Sequence, residues 1–308
     1  YFWQTKSASV MRKLSFLLAL LVSVFVNSQT LKPYVLGATS KSNLTELKGQ
    51  LQKSLTDAGF TVVGQYQPAS DANRWLMVVS HPSLDKAVKT VGGLTGFAVT
   101  LRVAITKENG VNNISYTNPL YWGNAYFQKE FSKVAANYNS VDAAFKKAMA
   151  GAGQVVNTPF GSKKGETAKD LQEYHYMFGM PYFDETVKLG SFSSSQAAIA
   201  HIDNALSSGK PGVKLVYKHS IPGTNLTLYG IALNGSEGEK SFMPIIDLAS
   251  PKHTAFLPYE LLVKDGEAHM LHGRFRIALS FPDLTMGTFT KIMSTPGAIE
   301  ELLGQLTK

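Results

Sequence analysis

Three side chains close together in the sequence, Glu267, His269 and His272, are of types that hold metal ions. Imidazole nitrogens with a carboxylate oxygen form a usual zinc set, and a catalytic zinc keeps one position open for water. The spacing argues against a shared ion. The two histidines read as lying on one strand, where positions three apart project from opposite faces. No metal is assigned, and both are expected as ordinary strand residues. A second group is aromatic: Tyr174, His175, Tyr176, Phe178, Tyr182 and Phe183, beside Asp184 and Glu185. Such rings could line a cleft between two packed units, where apolar walls with a few polar groups bind small molecules. Trp122 and Tyr126, next to Tyr121 and Phe127, could stack on a sugar or another flat ligand. Tyr174, His175, Tyr176, Tyr182, Trp122 and Tyr126 are therefore the candidate ligand-binding residues. The competing expectation is that these rings fill cores or cement the units together.

Other chemistry finds little support. Ser193 to Ser195 run into a helix as capping residues, and no Gly-x-Ser-x-Gly elbow is present. Gly92-Gly93 and Gly151 to Gly153 do not follow strands at the spacing of a phosphate-cradling loop. Catalytic residues and cofactors stay unassigned.

The elements that would position these residues are organised around two hairpins. Phe256 to Pro282 reads as a strand, a turn at Lys264-Asp265-Gly266 and a return strand ending at the proline; Phe97 to Pro119 repeats the plan with a turn at Glu108-Asn109-Gly110. Asn-Gly and Asp-Gly tolerate the positive φ that tight hairpin turns demand. Before the first hairpin, Asn43 with Glu46 forms a capping-box pattern ahead of Leu44, Leu47, Leu51 and Leu55 on one helical face. The runs Phe60 to Tyr66 and Trp75 to Ser80 read as strands, and Pro82 to Thr90 as a short helix. Ser140 is expected to cap a helix bearing Val141, Phe145 and Met149. The second half repeats the order, with a helix after Ser195, strands at Val213 to His219 and Leu226 to Leu233, and a last helix entered at Thr295-Pro296. Its extra length is placed in a loop at Asn234 to Lys240. The expected fold class is α+β: two similar units, each a mostly antiparallel sheet with helices packed on one face. The expected divisions are 1–28 as leader, 29–152 as first unit, 153–191 as connector carrying the aromatic segment, and 192–308 as second unit.

Composition bounds the function. With 308 residues, 44% hydrophobic and 17% charged, the chain has enough apolar material for two modest cores. The net charge of +8 is scattered, with no basic stripe, so nucleic acid is not an expected partner. No cysteine is present, which removes disulfides, thiolate metal sites and a cysteine nucleophile. Arg12 and Lys13 precede an apolar run from Leu14 to Val26. That run is short of the roughly 20 residues that cross a bilayer as a helix and suits the core of a secretory signal, with cleavage between Ser28 and Gln29. Tyr1 to Val10, ahead of Met11, read as a mis-called start.

Certain residues also carry a resemblance. In the first half they are Ala58-Gly59-Phe60-Thr61-Val62, Ser80-His81-Pro82, Gly96-Phe97-Ala98-Val99 and Asn118-Pro119. In the second they are Gly212-Val213, Ala255-Phe256-Leu257-Pro258-Tyr259, Asp265-Gly266 and Phe281-Pro282. This pattern resembles the bacterial and archaeal domain of unknown function 302, once in each half. The first half lacks the Leu-Pro of the central motif and the second departs at its Gly-Phe. The resemblance implies a small α+β domain prone to pair, so two in one chain would form an internal pseudo-dimer; it brings no catalytic residues. The expectation is an exported periplasmic or extracellular protein, free of the membrane once the signal is cleaved, that binds a small molecule or acts as an interaction module. The alternative is an enzyme of unassigned class with its site in the cleft between the units.

Overall fold

The computed structural model describes residues Thr30 to Lys308; the leader and its cleavage site lie outside the described residues. In chain order the elements are β1 (Tyr34–Ser40), α1 (Leu44–Asp57), β2 (Thr61–Tyr66), β3 (Arg74–Ser80), α2 (Pro82–Val91), β4 (Leu101–Glu108), β5 (Val111–Thr117), α3 (Pro119–Phe127), α4 (Ala135–Ala150), β6 (Gln154–Phe160), α5 (Ala168–Gln172), β7 (Val187–Ser191), α6 (Ser195–Ser207), β8 (Val213–Ser220), β9 (Thr227–Leu233), α7 (Glu239–Ile246), β10 (Tyr259–Lys264), β11 (Glu267–Met270), α8 (Gly273–Ser280), α9 (Met286–Phe289) and α10 (Thr295–Gly304). Local chemistry sets many of these boundaries. The Asn43 side chain accepts the Glu46 amide at 2.9 Å at the head of α1, and Ser194 accepts the Ala197 amide at 3.1 Å at the head of α6. Both hairpin turns have positive φ at each central residue, 50° and 78° at Asn109-Gly110, 51° and 81° at Asp265-Gly266.

The fold is α+β, with two antiparallel sheets ordered β2-β3-β4-β5-β1-β6 and β7-β11-β10-β9-β8. Read from its other end, the second is β8-β9-β10-β11-β7, the order of β2-β3-β4-β5-β1. The registers agree as well. Val62 pairs with Val79 and Gly64 with Val78, leaving Val63 bulged; Leu215 pairs with Ile231 and Tyr217 with Gly230, leaving Val216 bulged. At the opposite side Gly37 bulges from β1 and Leu189 from β7. One strand further in, Val78 faces Arg102 and Gly230 faces Glu260. Arg102 and Glu260 therefore hold equivalent places, as do Gly64 and Tyr217.

Strand alternation divides the burial. On β10, Tyr259, Leu261 and Val263 enter a core with Ala198, Ile202, Phe242, Ile299 and Leu303, supplied by α6, α7 and α10. Leu262, with Leu228 and Tyr217, belongs instead to the core built on the first sheet. Polar ties cross between the sheets: Arg102 pairs with Glu260 and Arg74 with Asp247, and the hydroxyls of Thr106 and Thr254 meet at 2.8 Å. Tyr121 of α3 donates to the carbonyl of Leu279 on α8 at 2.8 Å. Leu31 to Lys308 close into one compact unit.

Several expectations are corrected. The return strand of the second hairpin stops at Met270, and residues up to Ser280 form α8 instead. The alternation Phe275, Ile277, Leu279 mimics a strand because the intervening Arg276 is itself buried. Its Nη2 donates to the carbonyls of Phe256 and Pro258 at 2.7 and 2.6 Å. Ser140 lies inside α4, which begins at Ala135. The stretch 153–191, read as a connector, supplies β6 to the edge of the first sheet and β7 to the edge of the second. Asn234 to Lys240 is not merely looped out, since Glu239 opens α7 with only 1% of its surface exposed.

Candidate functional site

His253 stands at the head of the short helical turn Thr254–Phe256 before β10 and is buried, 6% exposed. Its backbone amide donates to Asp247 Oδ1 at 2.8 Å, and the other oxygen of that carboxylate is ion-paired with Arg74. Arg74 also donates to Thr254 Oγ1 at 2.9 Å, so an ion pair between the two halves fixes the turn that presents the histidine. The imidazole is held among aromatic rings: Phe281 stacks on it with centroids 4.7 Å apart and planes at 29°, and Tyr34 lies at 4.9 Å. Burial lowers its pKa below the ordinary histidine value, which keeps the ring neutral at neutral pH. Among the described residues its buried Nδ1 has no partner in good hydrogen-bond geometry, although the Ser280 backbone lies close enough to favour the protonated ring. Buried polar atoms are nearly always paired, and Tyr34 Oη on the neighbouring ring is another that lacks a partner among the described residues.

The histidine borders an open cleft of about 440 Å³. One wall comes from the end of β6 and the residues after it, Phe160, Ser162 and Lys163; the other comes from the segment after α7 and from Phe281 and Asp283 beyond α8. Asp283 ties the two across the rim by accepting the Lys163 amide at 2.8 Å. Lys32 adds a second ammonium group to the lining. The cleft combines apolar walls, two cationic side chains, a neutral imidazole and one carboxylate, Asp283, that is held at the rim by the Lys163 amide. This is a set for binding an anionic molecule with an apolar body.

The six sequence candidates are not gathered in one place. Trp122 and Tyr126 are inside the core on α3, 5% and 2% exposed. The Trp122 indole donates to the Pro33 carbonyl at 2.8 Å, and Tyr126 stacks on Phe183 with centroids 5.2 Å apart. Tyr174 is buried edge-on against Phe275 at 5.9 Å. Tyr176 reaches the carbonyl of Leu284 at 3.3 Å. His175 and Tyr182 do meet, stacked with centroids 4.1 Å apart, in a second open depression of about 430 Å³ shared with Glu185, His272 and Arg274. His269 and His272 are parted by the end of β11. His269 bonds Thr186 and Glu267, both at 3.0 Å, whereas His272 caps α8 by accepting the Arg274 amide at 3.2 Å. Among the described residues no three histidine or carboxylate side chains are arranged to hold a metal ion.

Sequence reading missed His253, Asp247 and Glu239. Glu239 accepts from Tyr66 Oη at 2.8 Å and from the amides of Ala69 and Leu233 at 2.9 and 3.2 Å, and burial pushes its carboxyl up to about 7 despite those donors. None of the three has a local signal. Each acquires its partners from distant parts of the chain.

No protein-family model matches the chain, and no curated protein does. A solved structure, that of an uncharacterized conserved protein DUF302 from Bacillus stearothermophilus, aligns with 37% of this chain and 96% of its own at 17% identity and a TM-score of 0.32.

Proposed function

We propose that this is an exported protein of two domains resembling the domain of unknown function 302, joined as an internal pseudo-dimer, which binds a small acidic molecule in the cleft beside His253. The observation that carries the binding reading is an open cleft walled by Phe160 and Phe281 and edged by Lys32 and Lys163, with the neutral His253 ring in its lining. A binder needs a lined pocket, whereas an enzyme needs titratable groups converging on one point. Here Asp247 is engaged by Arg74 and by a backbone amide, and Asp283 in the cleft lining accepts the Lys163 amide, which favours binding over catalysis. The matching strand orders, registers and bulges support the tandem reading. The apolar run Leu14 to Val26 behind Arg12 and Lys13 supports export to the periplasm or beyond.

A thermal-shift screen of the mature chain with aromatic and aliphatic carboxylates, phosphates and neutral sugars tests the binding reading. A ligand selective for the folded state raises the melting temperature. The expected result is a shift with acidic, partly apolar compounds that disappears in His253→Ala and weakens in Lys163→Ala. Shifts with no compound, or shifts that both variants retain, would remove the cleft as the site. Export is tested separately by sequencing the N-terminus of secreted protein, expected to begin at Gln29.

A further inference from the structure

We infer that the face joining the two sheets is a two-fold dimer surface that has become one-way, so that each half fits the other and neither fits a copy of itself. This rests on the tandem reading proposed above and goes beyond it by naming what decides the partner.

In a two-fold interface, residues on the axis meet their own symmetry mates. Two pairs of register-equivalent residues do so here. Arg102 and Glu260 are equivalent by their strand pairing and are ion-paired with each other. Gly64 and Tyr217 are equivalent in the same way and are also in contact: a Cβ on Gly64 would lie 2.4 Å from the Val216 carbonyl oxygen and 2.7 Å from Tyr217 Cβ. The two pairs mark the pseudo-axis. Each pair is unlike in a way that matters for self-association.

Were the first half to pair with itself, Arg102 would face Arg102 in a place where Arg102 is now 3% exposed. Buried like charges without a counter-ion are strongly disfavoured. Were the second half to pair with itself, Glu260 would face Glu260, and Tyr217 would stand where only a residue without Cβ allows the edge strands to approach. The Tyr217 ring instead lies over Gly230, where a Cβ would be 1.9 Å from Cε1, and its hydroxyl reaches Glu260 and Thr100. Charge therefore bars the first half from pairing with itself, and size bars the second, where Arg276, 3.9 Å from Glu260, would partly offset the two facing carboxylates.

Single substitutions in the full chain recreate each like pair. E260R places two guanidinium groups on the axis, R102E two carboxylates, and G64Y two tyrosines. Each is expected to lower the folding equilibrium constant in urea titration by roughly a hundredfold or more. The swap R102E/E260R is expected to recover at least tenfold over the worse single, held short of full recovery by Arg276. If the charge-reversed singles are insoluble, the milder set R102Q, E260Q and R102Q/E260Q is measured instead, with the double expected to be less destabilised than the two singles combined predict. Additive losses in whichever cycle is measured, or a G64Y chain as stable as the parent, would overturn the inference. The tandem reading fails by a different observation, an experimental structure whose halves do not superpose strand for strand.

Discussion

Arg102 and Glu260 stand at the same register position of two different sheets and are ion-paired with each other, 3% and 2% exposed. Removing two charges from water costs several kcal/mol each, and only their mutual attraction and added hydrogen bonds compensate. Tyr217 and Thr100 supply such bonds to Glu260. Glu260→Ala is accordingly expected to destabilise the chain by about 3–5 kcal/mol, because it leaves Arg102 and Arg276 buried without a counter-ion. Urea unfolding followed by tryptophan fluorescence measures this; a loss below about 1 kcal/mol would mean that water reaches the pair.

Glu239 predicts a pH dependence. Its carboxyl is raised from 4.5 to about 7, chiefly by burial, with the Ala69 amide and the Tyr66 hydroxyl opposing. A raised acid binds its proton more tightly when folded. Its contribution is complete below about pH 4.5 and is lost as pH rises through 7, a fall of roughly 3 kcal/mol at 1.36 kcal/mol per unit. Glu239→Gln should flatten that part of the stability curve between pH 5 and pH 8. An unchanged slope in the variant would assign the pH dependence to other groups.

Tyr121→Phe removes one hydroxyl from the contact between α3 and α8. Its bond to the Leu279 carbonyl, 2.8 Å long, is fully buried. The expected loss is about 1–2 kcal/mol, the contribution of the bond plus the desolvated carbonyl left behind. A shifted urea midpoint at constant slope would report it.

Phe178 is fully exposed, at 100%, in the segment that also supplies the buried rings of Tyr174 and Phe183. Phe178→Ser should change stability by less than about 0.5 kcal/mol and leave the far-ultraviolet circular dichroism unaltered. A larger loss would mean that the ring is covered in solution.

Local chemistry was readable along the chain. Asn109-Gly110 and Asp265-Gly266 declared two hairpins, and Asn43 with Glu46 declared the head of α1, because turns and caps depend on φ, ψ and donors within four residues. The antiparallel α+β class followed from those same signals. Misreadings arose where burial altered the meaning of a pattern. The stretch before Pro282 read as a return strand and is the helix α8 with Arg276 buried, and Glu239 read as part of a loop and is buried.

The sequence by itself determined the two hairpin turns and the capped heads of α1 and α6, since each is decided by neighbours along the chain. Tertiary structure alone decided that Arg74 would fix Asp247 and thereby His253, that Phe160 and Phe281 would wall one cleft, and that Arg102 would meet Glu260. Those meetings depend on how two sheets, each already in register, are laid face to face, and no spacing between residues along a chain encodes the distance between atoms brought together across such a face.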